Sequence, residues 1–318
     1  MDAKVFKTYD QQLEILRDRG MIVPEDGMPK QILEKVNYYN LINGYNQLFI
    51  STPVTETTPE QYRTGTEFAE IYALYNFDNE MKSIILKRIL RIENTLKSEI
   101  AYHFSKRYGH DNYLKTSNFE LLSSKSKAGR DRIKGVIKLI SSIQHQISKN
   151  IHNRSIQHYV SNHGYIPLWV LVNILTLGTI SFFYEYMTQQ DRQTISRLYS
   201  IQDDEMINLI KVLTLSRNQC AHDEIFYNFR SRVAILNNPI HHNLNIPSKS
   251  GTPICGKHDL LAVLIAIKVL VPSQEFKKMI TEIQSVITCL EMQLKTITIN
   301  DVYSAMGFPS NWEDIKVV

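Results

Sequence analysis

The sequence predicts an all-α protein, and three observations carry that reading. Apolar side chains recur every three to four residues over long stretches, as in Met81, Ile85, Ile89, Ile92, Leu96 and Ile100, and again in Phe276, Ile280, Ile283, Ile287, Leu290 and Leu294. That is the period at which a helix buries one face. No run of alternating β-branched residues bounded by hairpin turns occurs. The stretch from Ile166 to Tyr184 carries no charge, but it opens on Pro167 and contains Asn173, Thr176, Gly178, Thr179 and Ser181. Polar groups left unpaired in lipid are costly, so it reads as a buried helix–turn–helix and not as a membrane span. The expected architecture is a helical bundle with additional N- and C-terminal helices. Residues 1–60 form an N-terminal helical segment, 61–236 the core, and 237–318 a loop and helices packed on that core.

Residues 7–50 read as short helices. Tyr9 to Leu16 begins one and Gly20 stops it. Pro29 opens the next, where its missing N–H does no harm. Tyr38, Tyr39 and Tyr45 follow; they suit a packing cluster with wet hydroxyls better than base stacking, because no basic residue is interleaved. Ser51 to Gly65, with Pro53 and Pro59, is a loop. Thr66 to Lys106 is helical, with Phe68, Ile71, Tyr72 and Tyr75 on one face and a break expected at Asp78. Glu93 falls at the edge of the buried stripe, four residues before Lys97, the favourable order for a helix ion pair.

The most concentrated positive charge is Lys125, Lys127, Arg130, Arg132, Lys134 and Lys138, with only Asp131 among them. It is expected on a loop leading into a helix from about Arg132 to Lys149. Two roles stay open: a solvated face, or a track for the phosphate backbone of RNA. Gly178 is read as the turn between the two uncharged helices. Asp204 to His222 is the next helix; Asp204 and Glu205 suit its dipole, and Met206, Leu209, Ile210 and Leu213 should face inward. Asn237 to Gly256 holds three Pro and two Gly and is a long loop. His241, His242, Cys255 and His258 match no common zinc spacing, so no metal is expected, and no cofactor. A final helical pair runs from His258 and is broken by Pro272, with Ser273 placed as a cap. Phe308 to Trp312 should dock on the body.

Composition bounds the function only loosely. With 43% apolar and 21% charged residues among 318, the chain is ordinary for a globular protein. A net charge of +4 permits nucleic-acid binding without arguing for it. Three widely spaced cysteines, Cys220, Cys255 and Cys289, speak against a disulfide framework and fit a reducing cytoplasm. Met1 to Val5 leads into mixed charged sequence, unlike a signal peptide.

The chemistry concentrates in Leu215 to His222, which joins Arg217, Asn218, Gln219 and His222. A His exchanges protons near neutral pH, and an Arg holds phosphate through two parallel hydrogen bonds without losing its charge. The pair suits phosphodiester chemistry. Spacing alone is weak: with 10 His in the chain, roughly a third of similar sequences would carry such a pair by chance. On an ideal helix Asn218 and His222 share a face, whereas Arg217 and His222 stand about 140° apart.

The surrounding block, Leu213 to Asn228, resembles the signature of the Abi family, the AbiD/AbiF-like abortive-infection proteins of bacteria within the HEPN superfamily. Asn37 to Tyr45, Leu74 to Asp78 with Arg91-Ile92-Glu93, Pro167 to Leu171, Leu177 to Ser181 and Gly307 to Trp312 are similar to further blocks of that family, in order along the chain. One departure is Ile225, where relatives often carry a basic residue; it bears on an extra phosphate contact, not on Arg217 and His222. The resemblance implies a HEPN-like bundle and phage defence by abortive infection. It also implies metal-independent RNA cleavage at Arg217 and His222, with Asn218 orienting the imidazole or the phosphate. Glu93 would orient Arg217 or His222, in place of the pair with Lys97. HEPN ribonucleases commonly pair two motifs, so the single motif here implies a homodimer. The alternative is a non-catalytic module that binds RNA, a regulatory RNA or a protein.

Overall fold

The computed structural model describes residues 5–55, 58–222 and 224–318; Met1 to Lys4, Glu56, Thr57 and Asp223 lie outside the described residues. Helices dominate. Two short helices open the chain, α1 (Tyr9–Asp18), capped reciprocally by Thr8 and Gln11, and α2 (Met28–Lys35), with Pro29 in its first turn. A π-helical turn, Tyr39–Asn43, follows. The predicted loop from Ser51 to Gly65 contains a small antiparallel pair, β1 (Ile50–Thr52) and β2 (Gln61–Tyr62). Such two-stranded ribbons lie below the resolution of a period-two search.

The organising element is α3 (Phe68–Tyr108), 41 residues long and thus about 60 Å. No break occurs at Asp78. Its carboxylate is fully buried and accepts bonds from the Tyr45 hydroxyl at 2.6 Å and the Phe226 N–H at 3.0 Å, with Lys82 Nζ at 3.3 Å. Tertiary partners thereby offset the poor helix propensity of aspartate. The helix ends at Gly109, whose φ of +89° an L side chain rarely adopts.

Next come α4 (Lys127–Lys149), α5 (Arg154–His163), α6 (Leu168–Leu171), α7 (Leu177–Tyr186), α8 (Gln189–Ser196) and α9 (Asp203–Ala221). The expected loop around Lys127 is helical: Ser126 Oγ accepts the Gly129 N–H at 2.9 Å and starts α4 five residues before Arg132. Gly178 is not the turn between α6 and α7. A 3-10 turn at Val172–Ile174 makes it, Thr176 caps α7, and Gly178 sits in the first turn of that helix. A β-carbon there would stand 3.8 Å from the Thr214 methyl of α9, an ordinary contact, so α7 has room for alanine at this position.

The C-terminal part adds α10 (Pro239–Asn243), the two-residue strands β3 (Ser248–Lys249) and β4 (Thr252–Pro253), α11 (Leu260–Leu270), α12 (Ser273–Glu291) and α13 (Ile299–Met306). Ser273 is the first residue of α12 and makes no cap bond; Pro272 holds the cap position. The tail docks as expected, with Trp312 fully buried and its ring 4.8 Å from that of Phe308 in a tilted pair. In space α3 runs through the middle, packed against α6, α7, α8, α9, α11 and α12. Buried side chains of all three predicted segments, from Leu13 to Ile315, form one cluster. Among the described residues no helix is long and apolar enough to cross a membrane.

Candidate functional site

The site is built where α9 leaves the bundle. Met206, Leu209, Ile210 and Leu213 are buried as predicted and fix the helix against α3, α7 and α11. One turn beyond Leu213, Arg217 emerges at the edge of the packed surface. Its Nε stands 3.9 Å from Glu93 Oε2 on α3, while Glu93 Oε1 pairs with Lys97 Nζ at 2.7 Å. Glu93 therefore pairs with Lys97 and also faces Arg217. At 3.9 Å the Arg217 contact is an ion pair and not a hydrogen bond. Arg217 Nε and Glu93 Oε2 are shut off from solvent without hydrogen-bond partners. The Arg217 side chain as a whole is 32% exposed, so the terminal fork stays open to an incoming anion. Replacing Glu93 by Gln is expected to cost about 1–3 kcal/mol, because Lys97 loses its charged acceptor. Thermal melting would check this; a variant as stable as its parent would place Glu93 outside the scaffold of the site.

His222 is not part of the helix. It caps the C-terminus with an extended backbone, φ −103° and ψ 155°, so helix-wheel geometry does not govern its position relative to Arg217. Its N–H donates to the Asn218 carbonyl at 3.1 Å, and its own carbonyl accepts the Glu224 N–H at 2.7 Å. The imidazole is exposed, as is Asn218. Asn218 thus positions His222 through its backbone carbonyl, a role no side-chain argument finds. The chain after His222 is stitched down on two sides. Lys82 Nζ donates to the Glu224 carbonyl at 3.0 Å, the Phe226 N–H meets Asp78, and Gln219 Nε2 donates to the Ile225 carbonyl. Cys220 offers no nucleophile: burial, reinforced by Asp78, pushes its thiol up to about 12.

Two openings flank the motif. A cleft of about 430 Å³ has Gln219, Glu224, Ile225 and Asn228 on one wall and Tyr39, Asn40 and Asn43 on the other. It joins the two blocks around residues 37–45 and 213–228, a convergence that sequence order hides. Tyr45 packs as expected, buried and stacked on Tyr227 at 5.8 Å, whereas Tyr39 is exposed at the mouth. The larger opening, about 850 Å³, runs along α3 from Asn94 and Lys97 to Gly109 and His110, with Trp169 and Asn173 opposite. Neither opening is lined by Arg217, Asn218 or His222.

The predicted basic run divides. Lys125, Lys127, Arg130, Lys134 and Lys138 are exposed, and the last four recur at helical spacing along α4. Arg132 leaves this group. It donates to Glu120 Oε2 and to the Glu185 carbonyl, both at 2.7 Å, and lies 4.9 Å over the Tyr186 ring. The stripe is separated from Arg217 by α7, which packs between α4 and α9. The histidines weighed for zinc serve the backbone instead: His241 Nε2 meets the Gly256 carbonyl and His258 Nδ1 the Ser231 carbonyl, each at 2.8 Å.

A family model described as Abi-like protein matches residues 31–228, from within α2 to the end of the motif segment. No curated protein and no solved structure matches the chain.

Proposed function

This chain belongs to the Abi-like protein family, and from that premise we propose that it acts in abortive infection, as a metal-independent endoribonuclease. The observation that carries the reading is the setting of Arg217 and His222. One presents an open guanidinium fork beside a buried carboxylate, the other an exposed imidazole at a pinned helix end. A fork of that kind takes phosphoryl oxygens bidentately and keeps its charge. An exposed imidazole can reach a substrate hydroxyl and accept or donate its proton.

In the proposed reaction the ribose 2′-hydroxyl attacks the adjacent phosphorus, and the bond to the leaving 5′-oxygen breaks. The 2′-hydroxyl loses one proton and the 5′-oxygen gains one, and His222 carries either transfer. Arg217 stabilises the charge that builds on the non-bridging oxygens, and Glu93 fixes the approach of its Nε edge. The products are a 2′,3′-cyclic phosphate and a 5′-hydroxyl. Arg217 and His222 line neither opening of a single chain, which favours a working unit of two copies about a two-fold axis. The exposed lysines of α4 are available to phosphates farther along the strand.

Incubating the purified protein with RNA, in chelator, and analysing the fragment ends tests this directly. Cyclic-phosphate ends, no cutting of the 2′-deoxy strand and a solution mass of two chains are expected. Cutting of DNA, or a strict need for a divalent ion, contradicts the mechanism.

A further inference from the structure

The groove along α3 has a composition that the motif does not explain. Its α3 wall offers a side chain at each turn from Asn94 to Gly109, about 22 Å of helix. Two of the lining residues are large and exposed: Tyr102 at 62% and, across the groove, Trp169 at 53%. Both rings line the same groove, and it is such clustering, not single exposed residues, that marks a binding surface. His110 stands between them and the far rim, its ring 6.0 Å from Trp169 and 4.8 Å from Tyr165. The His110 carbonyl accepts the Leu168 N–H at 2.8 Å, which holds the two walls together.

The charge in the groove has one sign. Lys97 and Lys106 line it and no carboxylate does. Lys106 is exposed, with Nζ 5.9 Å from the Tyr102 ring centre. The lining also carries exposed hydrogen-bonding side chains, Asn94, Ser98 and Asn173. An apolar protein segment would cover the rings but leave Lys106 and these polar side chains without partners. A strand with flat bases, anionic phosphates and ribose hydroxyls matches each feature: π-faces for stacking, lysines for phosphate, hydroxyls and amides for hydrogen bonds. Asn94 and Lys97 lie at one end of the groove, and the Lys97 partner Glu93 also faces Arg217.

We propose that this groove holds a stretch of single-stranded RNA, its bases stacked on Tyr102 and Trp169, its backbone on Lys106, leading toward Arg217. The proposal rests on the nuclease reading for the direction of the strand, but not for its binding. The site is short, at the small end of single-strand sites of about four nucleotides and more. It reads stacking and charge, not sequence.

The test is fluorescence anisotropy of a labelled 2′-O-methyl oligouridylate, which lacks the nucleophile and stays whole. The double variant Tyr102→Ala/Trp169→Ala is expected to raise Kd roughly 10- to 100-fold, with unchanged melting because both rings are exposed. Tyr102→Phe/Trp169→Phe keeps the rings and is expected to bind like the parent. Lys106→Ala is expected to weaken binding and reduce the slope of log K against log salt by about one. Undiminished affinity in the double alanine variant overturns the proposal, as does equal loss in the phenylalanine variant. So does a change of solution mass with affinity intact, which would make the groove a contact between copies. His222→Ala separates the two readings: it should bind the probe normally. A parent that never cuts RNA, yet loses the probe in the groove variants, leaves the groove standing and removes the nuclease.

Discussion

Replacing His222 by Ala is expected to slow RNA cleavage by about 10²–10⁴-fold, the usual loss when a proton-transfer group is removed. The same substitution should leave melting nearly unchanged. The ring is exposed and makes no hydrogen bond among the described residues, while the bonds that shape the helix exit, to the Asn218 carbonyl and from the Glu224 N–H, belong to the backbone. His222 holds the C-cap position through its backbone N–H alone, so removing its exposed side chain should stay within about ±0.5 kcal/mol. Alanine retains both backbone bonds, so the expected profile is an intact chain with its rate gone. Measuring single-turnover cleavage together with calorimetry decides the matter. A rate within a few-fold of the parent's removes His222 from the chemistry, and a parallel fall in melting temperature assigns the loss to folding instead.

The fold class was legible because long amphipathic stripes, such as Met81 to Ile100, need no tertiary information to declare a helix. The points that were not legible share a cause. At Asp78, Ser126 and Gly178 a local rule was overridden by a partner distant in sequence or by a cap. Asp78 is met by Tyr45 and Phe226, Ser126 closes on Gly129, and Thr176 caps α7 ahead of Gly178 by accepting the Thr179 N–H. The site divides along the same line. Arg217, Asn218 and His222 were visible as residue types at suggestive spacing, and Glu93 as a charge at the margin of a stripe. The approach of Glu93 to Arg217 was one of two readings, because nothing in the order of residues sets the rotation of α3 against α9. Arg132 looked like its neighbours in a basic run. Only the positions of Glu120, Glu185 and Tyr186 show that its guanidinium is engaged. The α3 groove left no trace in sequence, since Tyr102 and Trp169 belong to separate blocks.

The largest effect on stability is expected at Asp78, which lies under the motif segment and not within it. Its carboxylate collects the Tyr45 hydroxyl, the Phe226 N–H and Lys82, all buried. Asp78→Ala leaves the Lys82 ammonium without its counter-charge, and such a loss typically costs about 3–5 kcal/mol. For a chain of this length that is a fall in melting temperature of roughly 5–8 °C. Burial, the dominant influence, holds the carboxyl above the ordinary aspartate range, with Tyr45 and Lys82 pulling the other way. The sign follows from a raised folded-state pKa. The stabilisation linked to proton uptake is complete below the unfolded aspartate's value of 3.8 and is lost as pH rises through the higher folded one. Burial thus makes ionising this carboxyl costly, and replacing both partners tests what the pair is for. Asp78→Leu with Lys82→Met is expected to recover most of the stability that Asp78→Ala loses. It cannot restore the acceptor for the Phe226 N–H or the donor to the Glu224 carbonyl, so the segment that follows His222 stays unanchored and cleavage stays slow. Stability and activity returning together in the double variant would mean that the pair serves only the bundle, and that His222 is held by its bond to Asn218 alone.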